Sequence, residues 1–261
     1  MWHAITRLLN EQLGAGEISQ RTELPGGEIH AAWRIDWAGR AIFVKCDDST
    51  LLPCFTAEAD QLNLLARSKT VTVPEVLGVG SDREYSFLLL EYLPPKPLDA
   101  HNAFLLGQQL ARLHQWSEQP QYGLDYDNHL STTPQPNAWQ RRWASFFAEQ
   151  RIGWQLELAA EKGMEFGDID RIVDAVHQQL VSHQPAPSLL HGDLWSGNCA
   201  LGRTGPIFST RPATGAIANA IWRCCRCTRN SRRRFMTAIS RCYRCPPAFL
   251  SASRFINSIP C

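Results

Sequence analysis

The stretch Leu189-Leu190-His191-Gly192-Asp193-Leu194-Trp195-Ser196-Gly197-Asn198 restricts the possible folds of this chain more than any other. Its apolar start reads as a short buried strand entering a polar loop, in which Asp193 and Asn198 stand five residues apart. That is the H-x-D-x-x-x-x-N spacing of a kinase catalytic loop. The chemistry accounts for the spacing: a carboxylate accepts a hydrogen bond from a substrate hydroxyl, and a neutral amide five residues on holds Mg²⁺ against nucleotide phosphates. Gly192 and Gly197 let the backbone turn tightly between them. The competing reading is a polar turn that caps a strand, since Asp and Asn are common in turns.

A chain of 261 residues with 44% hydrophobic and 20% charged residues is long and apolar enough for a full core, in one large or two modest domains. It has no long apolar run, so no transmembrane helix is expected. Met1-Trp2-His3-Ala4 opens an amphipathic segment rather than a secretory signal, and a cytoplasmic enzyme is the expectation.

The chain in order predicts a strand-rich first part and a helical second part. Ile5 to Leu13 has helical spacing. Glu23 to His30 is a turn between two strand-like runs, the second being Ala31 to Trp37, followed by a turn at Ala38-Gly39-Arg40 and a strand from Ala41 to Lys45. Gly26 and Gly27 are consistent with a turn covering phosphates, with Lys45 pairing with them; the plainer reading is a hairpin with a solvent-facing lysine. Phe55 to Leu65 is an amphipathic helix that places Glu58 beside its apolar stripe, either as a solvated edge residue or as the partner of Lys45. Strands follow at Val73 to Gly80 and Tyr85 to Leu93. The second emerges at Glu91-Tyr92-Leu93-Pro94, which fits equally a hinge that bonds an adenine edge and a core strand stopped by prolines. Helices are predicted over Ala103 to Trp116, Trp139 to Ala160 and Ile169 to Ser182. His114 and His129 read as ordinary core or surface histidines, and the body shows no metal-ligand spacing.

With these residues in place the chain, up to about Gly202, resembles the fructosamine kinase (ketosamine-3-kinase) family. Leu24-Pro25-Gly26-Gly27 is similar to its phosphate-covering turn. Val44-Lys45, Phe55 with Glu58-Ala59, and Val73-Pro74 match its first lobe. Leu106-Gly107 with Leu110-Ala111-Leu113-His114 looks like the helix after its hinge. Gln135, Asn137, Trp139, Trp143, Phe146-Phe147 and Arg151 resemble its mid-chain block, and His191 to Asn198 its catalytic loop. The resemblance implies an α+β, two-lobe protein-kinase-like fold. Residues 1–93 would be the nucleotide-binding lobe and residues 94–202 the catalytic lobe, here incomplete. It also implies ATP- and Mg²⁺-dependent phosphorylation of the C3 hydroxyl of a small or protein-bound ketosamine, with a role in deglycation. Asp193 would orient or deprotonate the hydroxyl and Asn198 would ligate Mg²⁺. Lys45 would hold phosphates with Gly26 and Gly27, Glu58 would fix Lys45, and Glu91, Tyr92, Leu93 and Pro94 would hold adenine. The aromatic residues near Trp139 would help shape the sugar-amine site. No nucleic acid or membrane partner is implied. The runner-up enzyme class is a choline or aminoglycoside phosphotransferase, and the rival from another class is a non-catalytic kinase remnant that binds nucleotide only.

The pattern breaks near Arg203. Before it stand 15 Lys and Arg against 25 Asp and Glu, a net charge of −10; from it onward stand 11 Arg and no Asp, Glu, Lys or His. Ordinary usage would supply about seven acids in such a stretch. Six of the nine cysteines also fall there. The family carries an Asp-Pro-Ala segment shortly after its catalytic loop, whose carboxylate is the principal Mg²⁺ ligand, and this chain has none. A shift of reading frame between Arg203 and Phe208 accounts for the change. One allowed codon set for Phe208 to Cys225, read from its third base, encodes Phe-Asp-Pro-Ala-Cys-Tyr-Trp-Gly-Asp-Arg-Glu-Cys-Asp-Leu-Ala-Met-Leu, which resembles the family's metal-binding segment. Residues 203–261 are therefore expected to be out of frame, poorly ordered, and the cause of impaired activity. Zinc binding by Cys224, Cys225, Cys227, Cys242 and Cys245, or phosphate contacts from the arginines, are the alternatives for this segment.

Overall fold

The computed structural model describes residues 1–25, 30–94, 96–116, 121–130, 132–192, 194, 198–202 and 205–208. Gly26, Gly27, Asp193 and nearly all of the segment from Arg203 lie outside the described residues.

The first part is a five-stranded antiparallel sheet: β1 (Ile18–Glu23), β2 (Ala31–Trp37), β3 (Arg40–Asp48), β4 (Val76–Ser81) and β5 (Tyr85–Glu91), in the order β1-β2-β3-β5-β4. Alternation decides which face each side chain takes. Ile42, Val44 and Cys46 of β3 join Phe87 and Leu89 of β5 in a core closed by Ile5 and Leu9 of α1 (Trp2–Leu13). The intervening residues of β5, Leu88 and Leu90, face the opposite side and pack on Phe55, Ala59 and Leu62 of α2 (Leu52–Arg67). The sheet is thus covered on both faces, which is why β5 reads as an unbroken apolar run rather than an alternating one. Ala38 and Gly39 both take positive φ (46° and 80°), the twist a two-residue hairpin between β2 and β3 requires.

The α2 helix starts three residues before the predicted Phe55. Asp48 caps the preceding 3-10 turn by accepting from Thr50, and Pro53 stands in the first helical turn. The β4 strand starts at Val76 rather than Val73, after Pro74, and β5 stops at Glu91.

The second part is mostly helical. The α3 helix (Ala100–Gln115) is capped by Asp99, which accepts from Asn102 N at 2.7 Å. A small hairpin, β6 (Asn128–Leu130) and β7 (Thr133–Gln135), follows where no strand was predicted. The helix predicted from Trp139 begins only at Trp143, because residues 136–140 are drawn back onto residues 121–128. Gln140 pairs with Tyr122, and Leu124 N donates to Asn137 O. It then runs as α4 (Trp143–Phe147), a π-helical stretch (Ala148–Gly153) and α5 (Trp154–Glu161), and α6 (Ile169–Leu180) packs against the π stretch and α4. Leu189 and Leu190 are buried as predicted, but they do not form a strand: Leu189 makes a single bridge and Leu190 none. The real strand lies after the loop, where β8 (Cys199–Leu201) pairs antiparallel with β9 (Pro206–Phe208).

Candidate functional site

Lys45 and Glu58 meet because of the two periodicities. On β3, Lys45 lies between Val44 and Cys46, so it points to the α2 side of the sheet; on α2, Glu58 is one turn from Leu62, which packs on that same side. Lys45 Nζ donates to Glu58 Oε2 at 2.6 Å, and both residues are buried. The plainer readings of these two residues, a solvent-facing lysine and a solvated edge carboxylate, are thereby overturned. Glu58 Oε1 is buried without a hydrogen-bond partner among the described residues.

Two residues with no predicted role, His30 and Asp47, border this pair. His30, the last residue of the predicted turn, has Nδ1 2.7 Å from Asp47 Oδ2 and its ring edge-on to Phe55 at 5.2 Å. The same Phe55 ring lies 5.6 Å from Lys45 Nζ. Burial, reinforced by the Lys45 charge, pushes the His30 pKa below its ordinary value against the pull of Asp47. The only signal in the sequence was position, at the end of the predicted turn and two residues past the lysine.

At the predicted hinge, Glu91 N donates to Glu75 O at 2.9 Å and Tyr92 N to Ala41 O at 3.4 Å, so both of these N–H groups are used inside the fold. Beyond Pro94 the chain turns to the second part, where Lys96 bridges Leu201 and accepts from its N–H at 2.8 Å. The hinge is thereby tied to β8, which directly follows Asn198.

Asn198 is buried. Nearby His191 is buried as well, its ring 5.4 Å from that of Phe208. Leu189, Leu194 and Cys199 share one apolar cluster with Leu65 of α2 and with Leu106, Leu110 and Leu113 of α3. The loop and the helix that carries Glu58 are therefore packed on one another. His114, on α3, is a core residue whose pKa burial lowers to about 3.

The Fructosamine kinase family model matches residues 1–215. The chain belongs to the fructosamine kinase family. It is 74% identical over 206 residues to a protein of Escherichia coli (strain K12) named a probable ketoamine kinase, YniA, covering 79% of this chain and 72% of the relative. A crystal structure assigned as a fructosamine-3-kinase, from Haemophilus somnus 129PT, superposes with a TM-score of 0.87 at 33% identity, covering 100% of this chain and 93% of that one. Aminoglycoside phosphotransferase APH(4)-Ia superposes with a TM-score of 0.60 at 12% identity, over 97% of this chain and 86% of its own, a likeness of fold alone. The fold is that of the kinase-like phosphotransferases, and this fructosamine kinase family member is by descent a phosphotransferase.

The described residues suit the nucleotide that the family uses: a buried lysine held by a buried carboxylate is the arrangement that pairs with phosphates. They suit Mg²⁺ poorly. Mg²⁺ takes oxygen ligands that include one or two carboxylates; Asn198 offers a neutral amide, and no Asp or Glu occurs anywhere after Asp193.

Proposed function

We propose that this chain derives from an ATP-dependent kinase that phosphorylates the C3 hydroxyl of ketosamines, the glycated amines of small molecules or proteins, so that deglycation follows. The observation that carries the reading is the buried Lys45–Glu58 pair in a fructosamine kinase family member. Residues 1–93 would bind nucleotide and residues 94–202 would supply the catalytic loop and substrate site. ATP would lie between them, its phosphates on Lys45 and under Gly26 and Gly27, its adenine against the segment Glu91 to Pro94. The C3 oxygen would attack the γ-phosphorus while the bond to the β-phosphate oxygen breaks and ADP leaves. The hydroxyl proton would pass to the Asp193 carboxylate. Asn198 would hold Mg²⁺ in a complete relative. No described helix is long and apolar enough to cross a membrane, and a cytoplasmic location suits a kinase that draws on ATP.

In this chain the segment after Gly202 has no carboxylate to complete the metal site, and we read residues 203–261 as out of frame. Little or no turnover is the consequence. The test compares this chain with one whose frame is restored between the codons for Arg203 and Phe208, using fructosyl-lysine and ATP. Turnover by the restored chain alone, with nucleotide binding by both, is the expected result. Robust phosphorylation by the present chain would overturn the impairment, and absence of ATP binding by both would overturn the kinase reading.

A further inference from the structure

Arg151 stands on the π-helical stretch, far along the chain from any residue given a catalytic role, yet it is largely buried. Its Nη1 donates to Pro136 O at 2.5 Å and to Gln150 O at 3.0 Å, and its Nη2 donates to Asn137 Oδ1 at 2.6 Å. The guanidinium also lies over the Phe146 ring at 4.4 Å. Asn137 is wholly buried and passes the contact on. Its Nδ2 donates to Asn128 Oδ1 at 2.8 Å and to Tyr126 O at 3.2 Å, and its backbone N–H donates to Asp127 Oδ1 at 2.8 Å. Both amide protons and the amide oxygen of Asn137 are therefore engaged.

The residues so held lie against α2. The β6 strand packs on that helix, and the Tyr126 hydroxyl is close enough to Asp60 and Arg67, both on α2, to feel their charges. Phe55, Ala59 and Leu62 fix α2 toward the sheet, and Leu65, at its C-terminal end, joins the α3 cluster of the second part. The β6 strand adds a second contact between the helix and that part. In kinases the lysine–glutamate pair works only when its helix is in place.

We infer that the Arg151–Asn137 relay is a strut that seats α2 and so holds Glu58 against Lys45, making Asn137 and Arg151 positioning residues for phosphate binding. The inference rests on the nucleotide reading above. It also gives the mid-chain block a role different from lining the sugar-amine site.

Two substitutions test it in the full chain. Asn137→Asp keeps an acceptor for Arg151 but removes both donors and turns an oxygen toward Asn128 Oδ1 and Tyr126 O. Arg151→Lys keeps the charge but loses the planar fork. Affinities for ATP and for adenosine are measured by calorimetry at a temperature where circular dichroism shows each variant folded. A displaced Glu58 weakens ATP by ~tenfold, while adenosine, which has no phosphates, stays within ~twofold. Added to Lys45→Met, either substitution weakens ATP no further, because the pair is already broken. Unchanged ATP affinity, or a parallel loss for both ligands, overturns the strut. Should the unsubstituted chain bind neither ligand, the nucleotide reading itself fails and the strut with it.

Discussion

Lys45 Nζ and Glu58 Oε2 stand 2.6 Å apart inside the protein, joining the middle of β3 to the second turn of α2. A buried pair of this kind is not a large net source of stability, because both charges have left water; removing one partner is costly because the other stays behind. Glu58 Oε1, which has no hydrogen-bond partner among the described residues, makes this pair less satisfied still.

Lys45→Met should therefore destabilise the chain by about 3–5 kcal/mol in urea unfolding, and Lys45→Met with Glu58→Leu should recover most of that loss. If the single variant is as stable as the parent, the carboxylate is not held as a buried anion. ATP affinity should fall in both variants.

His114 predicts an acid-side loss of stability. Burial holds its folded pKa near 3, below the ordinary 6.5. Between these values the unfolded chain binds the proton and the folded chain does not, so this contribution is full above pH ~6.5 and falls as pH drops toward 3. The slope approaches ~1.4 kcal/mol per pH unit. Urea unfolding at pH 7 and pH 5 should show the loss, and His114→Gln should flatten the difference. An identical slope in the variant would assign the pH dependence to other groups.

Gly123 sits where the hairpin crosses the segment that leads to α4. Its φ is +135°, and an added Cβ would lie 2.6 Å from Asn137 O and 3.0 Å from the Trp139 Cα. Both atoms belong to backbone that carries the Asn137 hydrogen bonds. Gly123→Ala should cost on the order of 2–4 kcal/mol, read as a lowered midpoint in thermal unfolding. Gly163→Ala, at φ +85° with open space around its Cβ, has backbone strain but no clash and should cost less.

For Asp193, the prediction belongs to the frame-restored protein. Asp193→Asn there should lower kcat for a ketosamine by ~10²–10⁴-fold with ATP affinity held within ~twofold. Equal kcat in the two proteins would remove Asp193 from proton transfer.

The strands and helices that carry Lys45 and Glu58 were legible because each follows a single periodicity over many residues. The β2 run from Ala31 to Trp37 agrees with its predicted ends, and α1, α2 and α3 each start about one turn earlier than predicted, α3 with Asp99 as its cap and α1 and α2 without a side-chain cap. The hairpin of β6 and β7 was not legible. Its strands are three residues each, too short for alternation to register; Asn137, two residues past β7, bonds Asn128 of β6 and is held in turn by Arg151, while Trp154 donates to Pro134 O of β7. The apolar pair Leu189-Leu190 misled for a related reason: Leu189 is buried in the α3 cluster and Leu190 among Tyr122, Trp143 and Phe146, and such burial looks, in one dimension, like burial in a sheet.

Local order and chemistry were thus settled along the chain: a lysine on a strand, a carboxylate on the next helix, an Asp and an Asn five residues apart, and a compositional break at Arg203. Those features need only neighbours in sequence. What the tertiary structure alone decided is which groups face one another: Lys45 paired and buried rather than solvated, His30 bonded to Asp47, the Glu91 and Tyr92 N–H groups used within the fold, and Arg151 reaching through Asn137 toward α2. The physical reason is that a periodicity assigns a side chain to a face, whereas its partner depends on how two faces pack, which no local pattern records.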